Sequence, residues 1–231
     1  MILLRLFVQS TILLSTALWS SNCFGKSDVA VSTPLPSSID TTSAPRKSSD
    51  VKNALIKEIE RYFNSIDMLF ADFKQLDKNG SKSCGYLMMK NRNLKMEYTT
   101  PPANIMIIKD QKVTFYDKEL DEKTKTTAHS SPFSFLLRRK TNLRENLEIL
   151  DLHDNETEAS LTFRCKNDDS DGSSNDSPVI RMHFSKKPFS LLGWEIFSSR
   201  KHIRTGFSTK IRLLNHNFRR RISDSEFDVL D

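Results

Sequence analysis

Residues able to ligate metals or attack bonds are thinly spread through the 231-residue chain. His129, His153, His183, His202 and His216 stand singly, with no HExxH and no regular pairing, so each reads as a surface or strand histidine rather than a metal ligand. Gly206-Phe207-Ser208-Thr209-Lys210 places a serine after a glycine but lacks the second glycine of a nucleophile elbow. Asn167-x-Asp169-x-Asp171-Gly172 opens like a calcium loop, with glycine in sixth place. Pro178 then occupies the twelfth position, where a bidentate glutamate is required, and the flanking segments read as strands, so an acidic hairpin loop is the better reading. Six glycines form neither a P-loop nor a dinucleotide fingerprint. The carboxylates are scattered, with no acid/base couple. The expectation is a protein that binds rather than transforms, without catalytic residues, cofactor or metal.

The strongest remaining signal is apolar. Phe70, Phe73, Met88, Met89, Met96, Met106, Phe115, Phe133, Phe135 and Trp194 fall in or beside predicted strands and one short helix. Ordinary core explains such residues one at a time. A lined cavity explains them together, because deformable methionines and flat aromatics suit a fluid ligand. Both readings stand at this level.

The elements that would position these residues follow from periodicity. Val51, Ala54, Leu55, Ile59, Tyr62, Phe63 and Ile66 recur at three- and four-residue steps, predicting an amphipathic helix with Ser49 or Asp50 as N-cap. Met68–Gln75 follows as a strand. Gly85–Asp117 reads as four short antiparallel strands, broken by Pro101-Pro102 and by a Lys109–Lys112 hairpin. Leu94, Met96 and Tyr98 alternate with charged residues, as in a strand with one wet face. Ile105–Ile108 is apolar throughout, so both of its faces must be covered. Beyond Glu122–Thr126, Ser131-Pro132 starts a short helix with Phe133, Leu136 and Leu137 on one face, closed by Arg138-Arg139-Lys140. Asn142–Leu147 reads as a further helical turn. Leu147–Leu152, Ala159–Cys165, Val179–Phe184, Gly193–Ser198, Ser208–Leu214 and Arg221–Phe227 are further strand candidates. The fold class is α+β: a curved antiparallel sheet of about eleven strands with two or three helices on one face.

Residues 1–25 read as a secretory signal peptide, with Arg5 before an apolar Leu6–Trp19 segment and Cys23-Phe24-Gly25 at the cleavage site. Lys26–Asp50, rich in Ser, Thr and Pro, reads as a disordered leader. The folded domain is 51–231. In an oxidising compartment Cys84 and Cys165 could pair or remain two thiols, and spacing decides neither. The formal charge of +6, clustered at Arg138–Lys140, Lys186-Lys187 and Arg219–Arg221, fits a solvated basic surface or an electrostatic docking patch. It also leaves open a secreted polyanion-binding module, against which secretion itself counts.

Phe73-Lys74-Gln75, Gly85–Lys90, Glu97-Tyr98, Pro101-Pro102, Ile107–Asp110 and Phe115-Tyr116-Asp117 occur in an order that resembles the outer-membrane lipoprotein carrier protein LolA family, most closely its alphaproteobacterial members. Ser131-Pro132, Leu136-Leu137, Lys187–Trp194 and Ile222–Asp224 extend the resemblance, which runs from about Val51 to Asp231. The resemblance implies an incomplete β-barrel under a helical lid, enclosing a cavity for lipoprotein acyl chains, with Phe73, Met89, Met96, Ile107, Phe115, Phe133, Leu136, Leu137 and Trp194 as cavity or lid residues. It implies a monomeric periplasmic carrier that binds no nucleic acid, receives acylated lipoproteins from an inner-membrane ABC transporter and delivers them to an outer-membrane receptor or to the outer membrane. A membrane-anchored acceptor of the same fold, acylated at Cys23, is the alternative. The family commonly has a lid-latching arginine after the strand that ends here at Lys90. Counting from Gly85 places Asn91 there, whereas aligning on Glu97-Tyr98 places Arg92.

Overall fold

The computed structural model describes residues 46–100, 103–110, 112–127, 140–166 and 178–228. Helix α1, Arg46–Ser65, leads into strands β1 Met68–Asp77, β2 Lys82–Lys90, β3 Asn93–Tyr98, β4 Asn104–Lys109, β5 Lys112–Asp117 and β6 Glu122–Thr127. A short helix, α2 Leu143–Asn146, precedes β7 Leu147–Asp154, β8 Glu158–Cys165, β9 Val179–Lys186, β10 Phe189–Phe197 and β11 Thr209–Asn217. The eleven strands form one antiparallel sheet in the order β6-β5-β4-β3-β2-β1-β11-β10-β9-β8-β7. Each half is a run of hairpins, and the first and last strands join the halves, from Phe73↔Leu213 to Asp77↔Thr209. β6 and β7 are the two edges, so the sheet curves without closing. This is the expected incomplete barrel.

α1 lies on the concave face because its apolar residues share one side. Leu55, Ile56, Ile59 and Phe63 are buried in one cluster with Leu69, Phe73, Met89, Met96, Phe163, Met182 and Trp194 of the strands. The helix starts at Arg46, one turn before the expected cap, since polar residues are tolerated in a first turn whose N–H groups lack helical partners anyway. Its buried stripe is narrower than the sequence pattern: Val51 is half exposed and Ala54 is exposed.

β4 is buried along Asn104–Ile108, as the continuous apolar run requires. Met106 and Ile108 join the concave core. Ile105 and Ile107 point the other way, into a second cluster with Met88, Ile222 and Phe227. The cover on that face is the C-terminal segment. The sequence pattern predicts a strand over Arg221–Phe227; instead Arg221–Ser223 is irregular and Asp224–Phe227 is a 3-10 turn. Its two apolar anchors hold it over the outer face of β2 and β4, away from the β6 and β7 edges that a further strand would extend.

A bulge in β10 sets the interior of the other half. The register against β9 shifts between Leu191 and Gly193, which lets Leu191 and Trp194, three residues apart, both enter the core. Gly193 has φ +145°, and a Cβ there would fall 2.1 Å from the Ile211 carbonyl oxygen, so only glycine lets β11 approach so closely. Cys84 and Cys165 are not joined to each other by a disulfide.

Candidate functional site

Between α1 and the concave sheet face remains an apolar space of about 20 Å³, lined by Phe63, Ile66, Leu69, Leu87, Met89, Leu94, Met96, Met106, Met182, Leu191, Trp194 and Leu213. That volume is about enough for one water molecule. The trough therefore exists as a surface but is filled by the helix. Four of its twelve lining side chains are methionines, the most deformable of the large apolar residues.

Of the expected cavity residues, Met89, Met96 and Trp194 line this space. Phe73 belongs to the same core but stands beyond the space, its ring 5.0 Å from that of Tyr98 in an edge-to-face contact. Phe115 packs against the core from its margin. Ile107 is a correction: it lies on the opposite face, under Ile222 and Phe227, because strand parity that sends Met106 inward sends its neighbour outward. Phe133, Leu136 and Leu137 lie outside the described residues. Leu87 and Leu94 were missed although each stands two residues before a predicted member, on the same face. Met182, Leu191 and Leu213 come from the distant half of the chain, and nothing local announced their meeting.

One end of the trough is sealed by polar groups. Gln75 donates from Nε2 to both carboxylate oxygens of Asp77 at 3.1 Å, Tyr98 donates its hydroxyl to Gln75 Oε1 at 2.8 Å, and Thr209 donates to Asp77 Oδ1 at 2.8 Å. Burial pushes the Tyr98 hydroxyl well above its ordinary pKa, so it stays protonated and remains a donor.

The opposite end carries the Asn91-Arg92 turn. Lys90 pairs with Asn93, leaving Asn91 (φ +49°) and Arg92 (φ +68°) as a two-residue turn in which both residues adopt left-handed geometry. Arg92 is a poor residue for that conformation, and its side chain shows what holds it there. The guanidinium donates to the Phe63 carbonyl oxygen and to Asn64 Oδ1, both at 3.2 Å. It thus caps a carbonyl in the last turn of α1. Burial lowers the Arg92 pKa, and the neighbouring Asp67 charge opposes that. Asn91 contributes only its backbone, its N–H donating to Asp67 O at 3.4 Å. Of the two alignments, the structure gives the side-chain contact with α1 to Arg92.

Asn64 continues these contacts on the far side of the helix. Its Oδ1 accepts from Thr141 N–H at 2.8 Å and its Nδ2 donates to Thr141 O at 3.1 Å. Glu60 Oε1 accepts from Leu143 N–H at 2.8 Å, and Asn53 Oδ1 accepts from the Arg144 guanidinium. Residues 141–144 therefore run beside α1 and are tied to it at three successive points. Between them lies a polar cleft of about 640 Å³, with Lys57, Glu60, Asn64 and Lys140 on its walls.

Among the described residues no group of three His, Cys, Asp or Glu side chains could hold a metal ion. Ser199 Oγ lies 2.8 Å from His202 Nδ1, but the contact spans three residues of one 3-10 turn, and no described carboxylate bonds to that imidazole. Among the described residues no helix is long and apolar enough to cross a membrane.

Residues 64–229 match the family model described as outer membrane lipoprotein carrier protein LolA, a span holding all eleven strands and the last two residues of α1. Among solved structures, an uncharacterised conserved protein from Thermus thermophilus is similar at 11% identity, with a TM-score of 0.49 over 78% of this chain and 94% of its own. A LolA superfamily protein from Nitrosomonas europaea is 10% identical, with a TM-score of 0.41 over 75% and 97%. A chain of the Pseudomonas aeruginosa MucA/MucB complex is 9% identical, with a TM-score of 0.41 over 79% and 61%. No curated protein matches the chain.

Proposed function

The chain belongs to the outer membrane lipoprotein carrier protein LolA family, and on that premise we propose that it is a periplasmic carrier. It receives acylated lipoproteins from an inner-membrane ABC transporter, shelters their acyl chains in the trough and delivers them to an outer-membrane receptor or to the outer membrane itself. The observation that carries this reading is a methionine-rich apolar interior filled by a helix that polar contacts, rather than a further apolar layer, tie down at its C-terminal end. No bond is made or broken.

Energetics support such a role. α1 buries four large side chains, Leu55, Ile56, Ile59 and Phe63, each no more than 3% exposed. At about 1.5–3 kcal/mol apiece, lifting the helix costs roughly 6–12 kcal/mol. An acyl chain of about 15 methylenes gains about 12 kcal/mol on burial. One chain therefore about offsets the opening, and a second supplies net affinity. Three fully buried chains would give about 36 kcal/mol before that cost, beyond the roughly 20 kcal/mol at which noncovalent binding saturates. The displaced helix thus keeps cargo affinity in a range from which release is achievable.

The test is release of an acylated lipoprotein from inner-membrane vesicles by the purified protein, with Met96→Glu in the trough as control. Folded wild type releases cargo into the soluble fraction and Met96→Glu does not. Failure of folded wild type to release any acylated lipoprotein would sink the carrier reading.

A further inference from the structure

The cations of this protein are not neutralised evenly. Around β2–β5, Lys90 pairs with Asp224 at 3.0 Å, Lys95 with Glu97 at 3.1 Å and Glu226 at 3.3 Å, Lys109 with Asp228 at 2.6 Å and Lys118 with Glu97 at 2.8 Å. The end of the sheet marked by Asp77 and Thr209 differs. There the β10–β11 connection carries Arg200, Lys201, His202 and Arg204 within five residues, all exposed. The β1–β2 turn adds exposed Lys78, whose backbone N–H donates to Ser208 O at 2.9 Å, so the two loops form one surface. Among the described residues no ion pair neutralises Lys78, Arg200, Lys201 or Arg204.

This surface is a built one. His202 O accepts from the N–H groups of Thr205 and Gly206 at 3.1 and 3.0 Å, and Ser208 N–H donates to Ile196 O at 2.7 Å. Two half-buried apolar side chains, Ile203 and Phe207, stand among the cations, with the Lys210 ammonium 5.9 Å from the Phe207 ring centre. Neither of the two cavities described above lies here.

We propose that this end is an electrostatic docking surface for an anionic lipid bilayer. Clustered cations with apolar side chains among them fit the diffuse phosphate field of a headgroup layer, where each Lys or Arg near the surface strengthens association by about fivefold. The Arg92 turn lies at the other end of the strands, so docking leaves the latch accessible to a protein. The inference does not depend on the cargo or on its direction of transfer.

The test is co-sedimentation of the purified full chain with phosphatidylcholine vesicles, with and without phosphatidylglycerol, at low and high salt. Because the whole chain is used, any charge contributed by Asp168, Asp169, Asp171 and Asp176 is included in the readout. Binding is expected on anionic vesicles alone and weakens with salt. Arg200→Gln, Lys201→Gln and Arg204→Gln together lower the bound-to-free ratio by about a hundredfold. Lys112→Gln, Lys123→Gln and Lys125→Gln, an equal loss of charge elsewhere, lower it by less than about threefold. Circular dichroism checks that both triple variants fold. Equal losses in the two triples, equal binding to neutral vesicles, or binding to an acidic polypeptide without binding to vesicles would each overturn the proposal.

Discussion

Replacing Asn64 by alanine tests whether α1 is a latched element or an ordinary part of the core. The side chain accepts from Thr141 N–H and from Arg92 and donates to Thr141 O, so the substitution removes two neutral hydrogen bonds and one to a charged group. Thr141 is only 1% exposed, which leaves its backbone groups poorly placed to find water. Neutral bonds of this kind contribute about 0.5–1.5 kcal/mol and charged ones about 1.5–3, and partial replacement by solvent leaves a loss of about 2–4 kcal/mol. If the helix opens as a unit, that loss raises the open population about 30- to 700-fold. Native-state hydrogen exchange reads it directly: amides of α1 around Leu55–Phe63 lose protection by that factor while those of β1, β2 and β11 keep theirs. Asn64→Asp, which retains the acceptor and adds attraction for Arg92, loses less. Asn53→Ala, at the exposed contact with Arg144, changes protection little. Uniform loss of protection across sheet and helix would show that α1 unfolds only with the whole domain, and the latch argument would fail.

Phe227, with no exposed surface in its packing against the outer faces of β2 and β4, anchors the C-terminal segment. Phe227→Ala should lower stability by about 3–5 kcal/mol in a urea titration, while apolar probes enter the trough no more readily than before. In acid, Glu97 and Glu195 should set part of the profile. Burial works against the Glu97 charge, yet hydrogen bonds from Lys118, Tyr86 and Lys95 outweigh it and hold its pKa down to about 2. His183 beside Glu195, and then Lys210 against the effect of burial, hold that carboxylate down to about 2 as well. A depressed carboxylate contributes its stability fully above the ordinary value near 4.5 and loses it as pH falls toward 2. The urea midpoint should therefore drop across that window, and drop less in Glu97→Gln and Glu195→Gln. An unchanged slope in both variants would mean that other groups govern the acid limb.

Local pattern carried most of the fold. Alternation put Leu94 and Met96 on one face of β3, whereas Trp194 enters the core only through the β10 bulge, and the unbroken Ile105–Ile108 run required covers on both faces of β4. Parity misled where absolute phase mattered: Ile107 and Met106 look equally apolar, and which one faces inward is fixed by pairing with β3 and β5, a non-local fact. The Arg221–Phe227 segment misled for a related reason. Its apolar spacing suits a strand, but a strand needs a free edge, and its two anchors hold it away from the β6 and β7 edges. The latch was half legible. The turn at Asn91-Arg92 could be seen, but the partners of Arg92 are a helix carbonyl and Asn64, 29 and 28 residues away.

The two covers on β4 also argue for which side of the wall can move. On the outer face, the C-terminal segment is fixed both by burial of Ile222 and Phe227 and by ion pairs spaced along three strands, Lys90–Asp224, Lys95–Glu226 and Lys109–Asp228, with Lys90 also donating to Ile222 O at 2.7 Å. It straps β2, β3 and β4 together, and removing it would leave Ile105, Ile107 and Met88 facing water. On the inner face, α1 covers surface that an acyl chain can cover equally well, so its departure need not leave apolar area wet. Its polar ties are concentrated at its C-terminal end, next to its short link into β1, where a hinge would lie. A ligand can shift such an equilibrium only by what it gains in the open state. Apolar cargo gains that on the concave side alone. On the carrier reading proposed above, the outer strap would hold the wall rigid while helix and lipid exchange against it.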